Sequence, residues 1–165
     1  DPNTAFLDAQ TDPPKETEKQ LVPLNWDRRH QLNATITLGR PGNYAASIIA
    51  RYGTGLPYTP TFQNVQTSVE NSGRRPASHT VDVYLYKNIS VFKMDYSFFI
   101  RVFNLFDIKN ENDVFTDTGR AGYTLEPQYA GSQHPRGLNP LDMYFIRPDF
   151  YSAPRQVQIG LELGF

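Results

Sequence analysis

In five stretches of this chain, apolar side chains recur at every second residue, and that period of two marks each stretch as a β-strand with one greasy and one wet face. In the first, about residues 28–39, Leu32, Ala34, Ile36 and Leu38 alternate with Gln31, Asn33, Thr35 and Thr37. The second, about 43–53, sets Tyr44, Ala46, Ile48, Ala50 and Tyr52 against Ser47 and Arg51, with Ile49 interrupting the polar side. The third, about 79–90, opposes Val81, Val83 and Leu85 to Thr80, Asp82, Tyr84 and Tyr86. The fourth, about 95–106, has Phe98, Ile100 and Val102 opposite Ser97, Phe99, Arg101 and Phe103. The last, about 155–165, is the clearest: Val157, Ile159, Leu161, Leu163 and Phe165 alternate with Gln156, Gln158, Gly160, Glu162 and Gly164.

The links between these strands alternate too, short with long. The turn Arg40-Pro41-Gly42-Asn43 joins the first two, and a tight reversal near Val91 to Met94 joins the third to the fourth. The other two links, about 54–78 and 107–154, are rich in Pro, Gly, Asn and Asp, as loops are. Soluble domains seldom carry structureless loops longer than about 12–15 residues. Outer-membrane barrels do so by rule, with short periplasmic turns and long extracellular loops. The expected fold class is therefore all-β, an antiparallel transmembrane β-barrel of which residues 1–165 supply five strands of a larger single domain. On that rule the final strand runs inward, and the stretch from Asp1 to Asp27 belongs to another extracellular loop. Tyr44 then falls at the inner membrane interface, with Trp26, Tyr52 and Tyr58 near the outer one, where amphipathic rings anchor. A soluble sandwich or lipid-binding barrel with its apolar faces turned inward shares the alternation but leaves the loop lengths and aromatic ends without a reason.

Composition agrees with a barrel better than with a soluble core. Ten Tyr, eleven Phe and one Trp accompany thirteen Pro and eleven Gly. No apolar run approaches the roughly 18 residues of a membrane helix, but a spanning strand needs only about 9–11 and is apolar at alternate positions. The net charge of −1 gives no general attraction to nucleic acid. With no cysteine, a disulfide framework, a thiolate nucleophile and a Cys-ligated metal are excluded. The chain opens Asp1-Pro2-Asn3 and stays polar to about Lys19, with no export signal, so further sequence is expected upstream. Five strands do not close a barrel, so the remaining strands are expected from that sequence or from another chain.

The closing residues, Gln158 to Phe165, read polar-x-Gly-x-x-apolar-x-aromatic. This resembles the signal by which outer-membrane proteins are recognised by the barrel-assembly machinery, with Gln158, Gly160, Leu163 and Phe165 at its positions. An unpaired edge strand is readily held by strand addition. The body of the chain resembles the C-terminal strands of TonB-dependent outer-membrane receptors. The matching pieces are Asn25-Trp26-Asp27-Arg28-Arg29-His30, Tyr52-Gly53-Thr54-Gly55-Leu56-Pro57-Tyr58, Arg101-Val102-Phe103-Asn104-Leu105-Phe106-Asp107 and Pro154-Arg155-Gln156. The resemblance implies a barrel of roughly 22 strands with an N-terminal plug, partnered by outer-membrane lipid and, through the plug, by TonB. It implies energised uptake of a bulky nutrient such as a siderophore, cobalamin or oligosaccharide, with no resident cofactor. A passive porin or adhesin-type barrel is the alternative that shares strands and terminal signal.

Other residues invite chemistry and are weighed against plainer roles. His30, His79 and His134 lie near strand ends or in loops, and no nucleophile or oxyanion hole sits at a recognisable spacing, so an enzyme is not expected. Asp107-Ile108-Lys109-Asn110-Glu111-Asn112-Asp113 is loosely like a calcium loop but lacks the glycine at its sixth position and the glutamate at its twelfth, and reads as a solvated loop. Arg51, Asp82, Arg101 and Glu162 fall on wet faces, where they are candidates to line a lumen; structural pairing is the favoured reading. Tyr123, Tyr129, Tyr144, Phe145, Phe150 and Tyr151 are placed either to stack on a sugar or aromatic ligand or, more commonly, to pack the loop on itself. The glycosylation-like Asn33-Ala34-Thr35 and Asn88-Ile89-Ser90 fall in or beside strands and are read as chance.

Overall fold

A computed structural model describes residue 10 and residues 21–92, 94–129, 143 and 145–164. Five strands form one antiparallel sheet: β1 (Gln31–Arg40), β2 (Tyr44–Gly53), β7 (Ser78–Val91), β8 (Met94–Phe103) and β9 (Gln156–Gly164). Four two-residue strands lie between β2 and β7: β3 (Pro57–Tyr58), β4 (Thr61–Phe62), β5 (Val65–Gln66) and β6 (Gly73–Arg74). Each strand of the large sheet pairs with the next one along the chain, in the order β1-β2-β7-β8-β9. Among the described residues the sheet is open: β1 pairs only with β2, and β9 only with β8.

The register carries the sequence alternation across every strand. One row reads Ile36, Ile48, Val83, Val102 and Val157, and the next Leu38, Ala46, Leu85, Ile100 and Ile159. On the reverse face Thr37, Ser47, Tyr84, Arg101 and Gln158 share a row. A slip of one residue would exchange the two faces, so the hydrophobic pattern and the register specify the same sheet. Nothing among the described residues covers the apolar face: Ile36 is 63% exposed and Ile159 77%.

Strand ends differ from the sequence expectation by a few residues, for local reasons. β1 starts at Gln31 rather than near residue 28. Just before it, His30 and Thr54 exchange hydrogen bonds that close the ladder, Thr54 N–H to the His30 carbonyl at 3.0 Å and His30 N–H to the Thr54 hydroxyl at 3.1 Å. β8 stops at Phe103 rather than near residue 106, because Asn104 turns into the left-handed region at φ 54°. Asp82 Oδ1 accepts the Asn104 N–H at 2.9 Å. At the opposite end of the sheet, Val91 pairs with Met94 and Phe92 takes a left-handed φ of 53°, a tight reversal of the kind a two-residue hairpin needs.

The described parts of the long links are folded rather than structureless. β3 pairs with β6 and β4 with β5. The β4–β5 hairpin turns on Gln63 and Asn64, both left-handed at φ 50° and 62°, as a type I′ turn requires. Three asparagines, each nearly buried, staple these links together. Asn71 donates to the Pro23 carbonyl at 2.8 Å and to Asn25 Oδ1 at 2.7 Å. The Asn104 amide donates to the carbonyls of Ile108 and Ala153 at 3.0 and 3.1 Å. The Asn110 amide accepts the His79 N–H and donates to the His79 carbonyl, both at 2.9 Å, so a side chain stands in for a neighbouring strand at the start of β7. Among the described residues the buried hydrophobic side chains are Val114, Ala121 and Phe150, all in this loop cap.

Candidate functional site: an aromatic cleft in the loop cap

Two extended segments build the floor of the cleft. Glu111 and Tyr151 form an antiparallel bridge. On either side, Ser152 N–H reaches the Asn110 carbonyl at 2.9 Å and Asn112 N–H reaches the Phe150 carbonyl at 2.8 Å. Phe150 closes a 3-10 turn over Pro148–Phe150 and packs inward against Phe115, with ring centroids 5.1 Å apart, while Tyr151 follows it in an extended conformation and lines the cleft. Lys109 Nζ lies 3.9 Å from the centroid of the Tyr151 ring, a cation–π contact that fixes both groups.

The far wall is the turn Ala121-Gly122-Tyr123-Thr124, and a single carboxylate holds it. Glu111 Oε1 accepts from Arg120 Nη2 at 2.7 Å, and Oε2 accepts the Ala121 N–H at 2.6 Å. Its hydrogen bond to Arg120 keeps the Glu111 pKa below its ordinary value, outweighing the burial that pushes the other way. Thr118 donates to the Tyr123 carbonyl at 2.8 Å, and Asp117 accepts the Leu125 N–H at 2.6 Å. A methyl group on Gly122 would sit 3.3 Å from the Tyr151 hydroxyl, so the wall approaches the floor closely there. Pro127, Phe145, Ile146, Arg147 and Pro148 complete a cleft of about 420 Å³. Arg147 is bound to Asp149 through two hydrogen bonds, at 2.9 and 2.5 Å, and stacks on Phe150 at 4.3 Å. The hydrogen bond to Arg147 also lowers the Asp149 pKa.

The structure divides the six loop aromatics named from the sequence. Tyr123, Phe145 and Tyr151 meet in the cleft, and Phe150 is core. Tyr144 and the Tyr129 side chain lie outside the described residues. Tyr58, expected near an outer membrane interface, is half-buried against two glycines of the cap: a Cβ on Gly73 or Gly119 would meet its ring or hydroxyl at 2.6 or 2.3 Å. Burial first, and Asp117 second, raise its pKa.

The wet-face charges are dispersed rather than gathered. Arg51 binds Asp82 at 2.5 Å. Arg101 lies over the rings of Phe99 and Tyr84, at 4.7 and 5.4 Å, and Glu162 sits opposite Ser97 further along the sheet. Of the terminal signal, Gln158 faces Arg101, Gly160 faces Phe99 and Leu163 faces Tyr96, whereas Phe165 lies outside the described residues. Gly160 has a physical reason to lack a side chain, since a Cβ there would lie 2.2 Å from the Phe99 ring. His30 and His79 serve the sheet through their backbones, and His134 lies outside the described residues.

The calcium-like stretch is tied at several points to neighbouring segments, while Asp107, Lys109, Asn112 and Asp113 remain exposed to solvent. Asp107 accepts the Arg155 N–H at 2.7 Å, Asn110 is buried, and Asp113 pairs with Arg75 at 3.2 Å. Among the described residues no group of three or more His, Asp or Glu is arranged to hold a metal. Lys109 and the Glu111–Arg120 clamp had no signature in the sequence, because each acquires its role from residues distant in the chain or across a turn. Comparisons with protein-family models, with curated proteins and with solved structures give no match.

Proposed function

We propose that this chain forms C-terminal strands of an outer-membrane β-barrel of the TonB-dependent receptor type, which takes up a bulky nutrient without transforming it. The observation that carries this reading is the uncovered apolar face. Five paired strands present Leu, Ile, Val, Phe and Ala in continuous rows, and the buried hydrophobic residues lie elsewhere, in the loop cap. Apolar burial drives folding in water, so such a sheet needs another apolar phase against it, and lipid supplies one. The reverse face carries Arg51, Asp82, Arg101 and Gln158, as suits a wet lumen. The two unpaired edges call for further strands, because open backbone groups in hydrocarbon cost several kcal/mol each. Folded loops at one end and tight turns at the other match the extracellular and periplasmic ends of such a barrel.

The deciding experiment is to read the parent gene upstream of Asp1 and fractionate cells expressing its product. A signal peptide, a plug domain and further strands, with the protein in the outer membrane, are the expected result. An outer-membrane product with no plug would replace the receptor with the porin or adhesin reading. A soluble product would overturn the barrel itself.

A further inference from the structure

The cleft in the loop cap has a charge balance of its own. Two carboxylates near it are committed: Glu111 to Arg120 and the Ala121 N–H, and Asp149 to Arg147. Asp117, behind the wall, accepts from Thr124 and the Leu125 N–H. Lys109 has no ion pair among the described residues, and its ammonium is held in place by the Tyr151 ring rather than by an acid. A cation fixed by an aromatic ring keeps its full charge for an incoming anion, which does not have to displace a competing carboxylate. Beside it, Tyr123 is 57% exposed although its carbonyl is anchored by Thr118, so the ring is available on a fixed main chain. The volume of about 420 Å³ lies at the small end of the roughly 300–1,000 Å³ typical of ligand pockets.

We propose that this cleft binds a ligand that joins a flat ring face to a carboxylate, with Tyr123 stacking on the ring and Lys109 pairing with the acid. The inference rests on the uptake reading for its biological setting and names the chemistry of what is captured. Two sources share that chemistry, an acidic sugar and an aryl carboxylate, and the experiment separates them. The full-length parent protein, purified in detergent micelles, is titrated calorimetrically with trigalacturonate, with 4-hydroxybenzoate and with neutral maltotriose.

One of the two acidic probes is expected to bind, and its identity assigns the source. Lys109→Met should then weaken binding about tenfold or more, the loss that follows removal of one charge-assisted hydrogen bond, with Lys109→Arg restoring most of it. Tyr123→Ala should weaken the same probe, and maltotriose should stay weak throughout. Lys109 is exposed, so its variants should keep wild-type electrophoretic heat-modifiability as a check on folding. Absence of binding by both acidic probes, or Lys109→Met binding as tightly as wild type, overturns the proposal. That failure would leave the location and plug of the parent protein untouched, and a parent without a plug would leave this titration intact.

Discussion

The sheet and the loop cap hold themselves together by opposite means. The sheet is regular backbone ladder with long rows of exposed apolar side chains and charges on its reverse face. The cap has little regular ladder but contains the buried side chains Val114, Ala121 and Phe150, the three buried asparagines and the Glu111–Arg120 clamp. In a water-soluble protein the longest strands sit on the core and the loops lie outside it. The inversion separates two regions of one chain: the cap carries its own core, whereas the apolar face of the sheet is left uncovered, as the proposed lipid-facing barrel requires.

The sharpest way to break that contrast is to place the same charge on the two faces of β9. Ile159→Arg should cost about 2–4 kcal/mol if the site is near the bilayer midplane, whereas Gln156→Arg, on the opposite face across from uncharged Phe103, should change stability by no more than about 0.5 kcal/mol. Urea unfolding of the parent barrel in lipid vesicles measures both, and equal costs would refute the assignment of the apolar face to lipid. A smaller, local effect is expected in the cap. Asn110→Ala removes both side-chain hydrogen bonds to the His79 main chain and should cost about 1–3 kcal/mol, at roughly 0.5–1.5 kcal/mol for each bond. Hydrogen exchange should quicken at His79 and Ser152 while the β8–β9 ladder stays protected; loss of protection throughout the sheet would show that the regions are not separable.

The gentlest probe is pH. The folded Glu111 pKa is lowered, so the unfolded cap binds more protons in acid, and the contribution of Glu111 is fully present above the ordinary value of 4.5. It drains away as pH falls through the folded value. Protease susceptibility of the cap should therefore rise in acid and lose part of that dependence in Glu111→Gln. An identical pH profile in the variant would assign the acid response to other groups.

The two regions also differed in how far they could be read from sequence. The strands were legible because Leu32 to Leu38 or Val157 to Leu163 report two environments at alternate positions, and that period survives whatever the strand pairs with. Their ends were less so: the stop at Asn104 depends on Asp82, far back in the chain. In the cap, β3 to β6 are two residues each, too short to show a period, and the Gln63-Asn64 turn lacks the usual Asn-Gly. The fates of Phe150 and Tyr151 were inseparable by residue type, since the 3-10 turn that ends at Phe150 and the Glu111 bridge to Tyr151 decide which ring faces in. Lys109 was hidden within a segment whose carboxylates and amides drew attention to calcium instead.

The corner at Asn104 has a consequence for how such a chain can change over generations. Asn104 bonds Ile108 and Ala153, and Asp107 bonds Arg155, so the long excursion is cinched at its base just beyond the Phe103–Gln156 rung. Residues added, deleted or exchanged beyond that cinch need not disturb the alignment of the last two strands. Length changes in the excursion are thereby insulated from the β8–β9 rungs, provided that the Asn110 tie to β7 is kept.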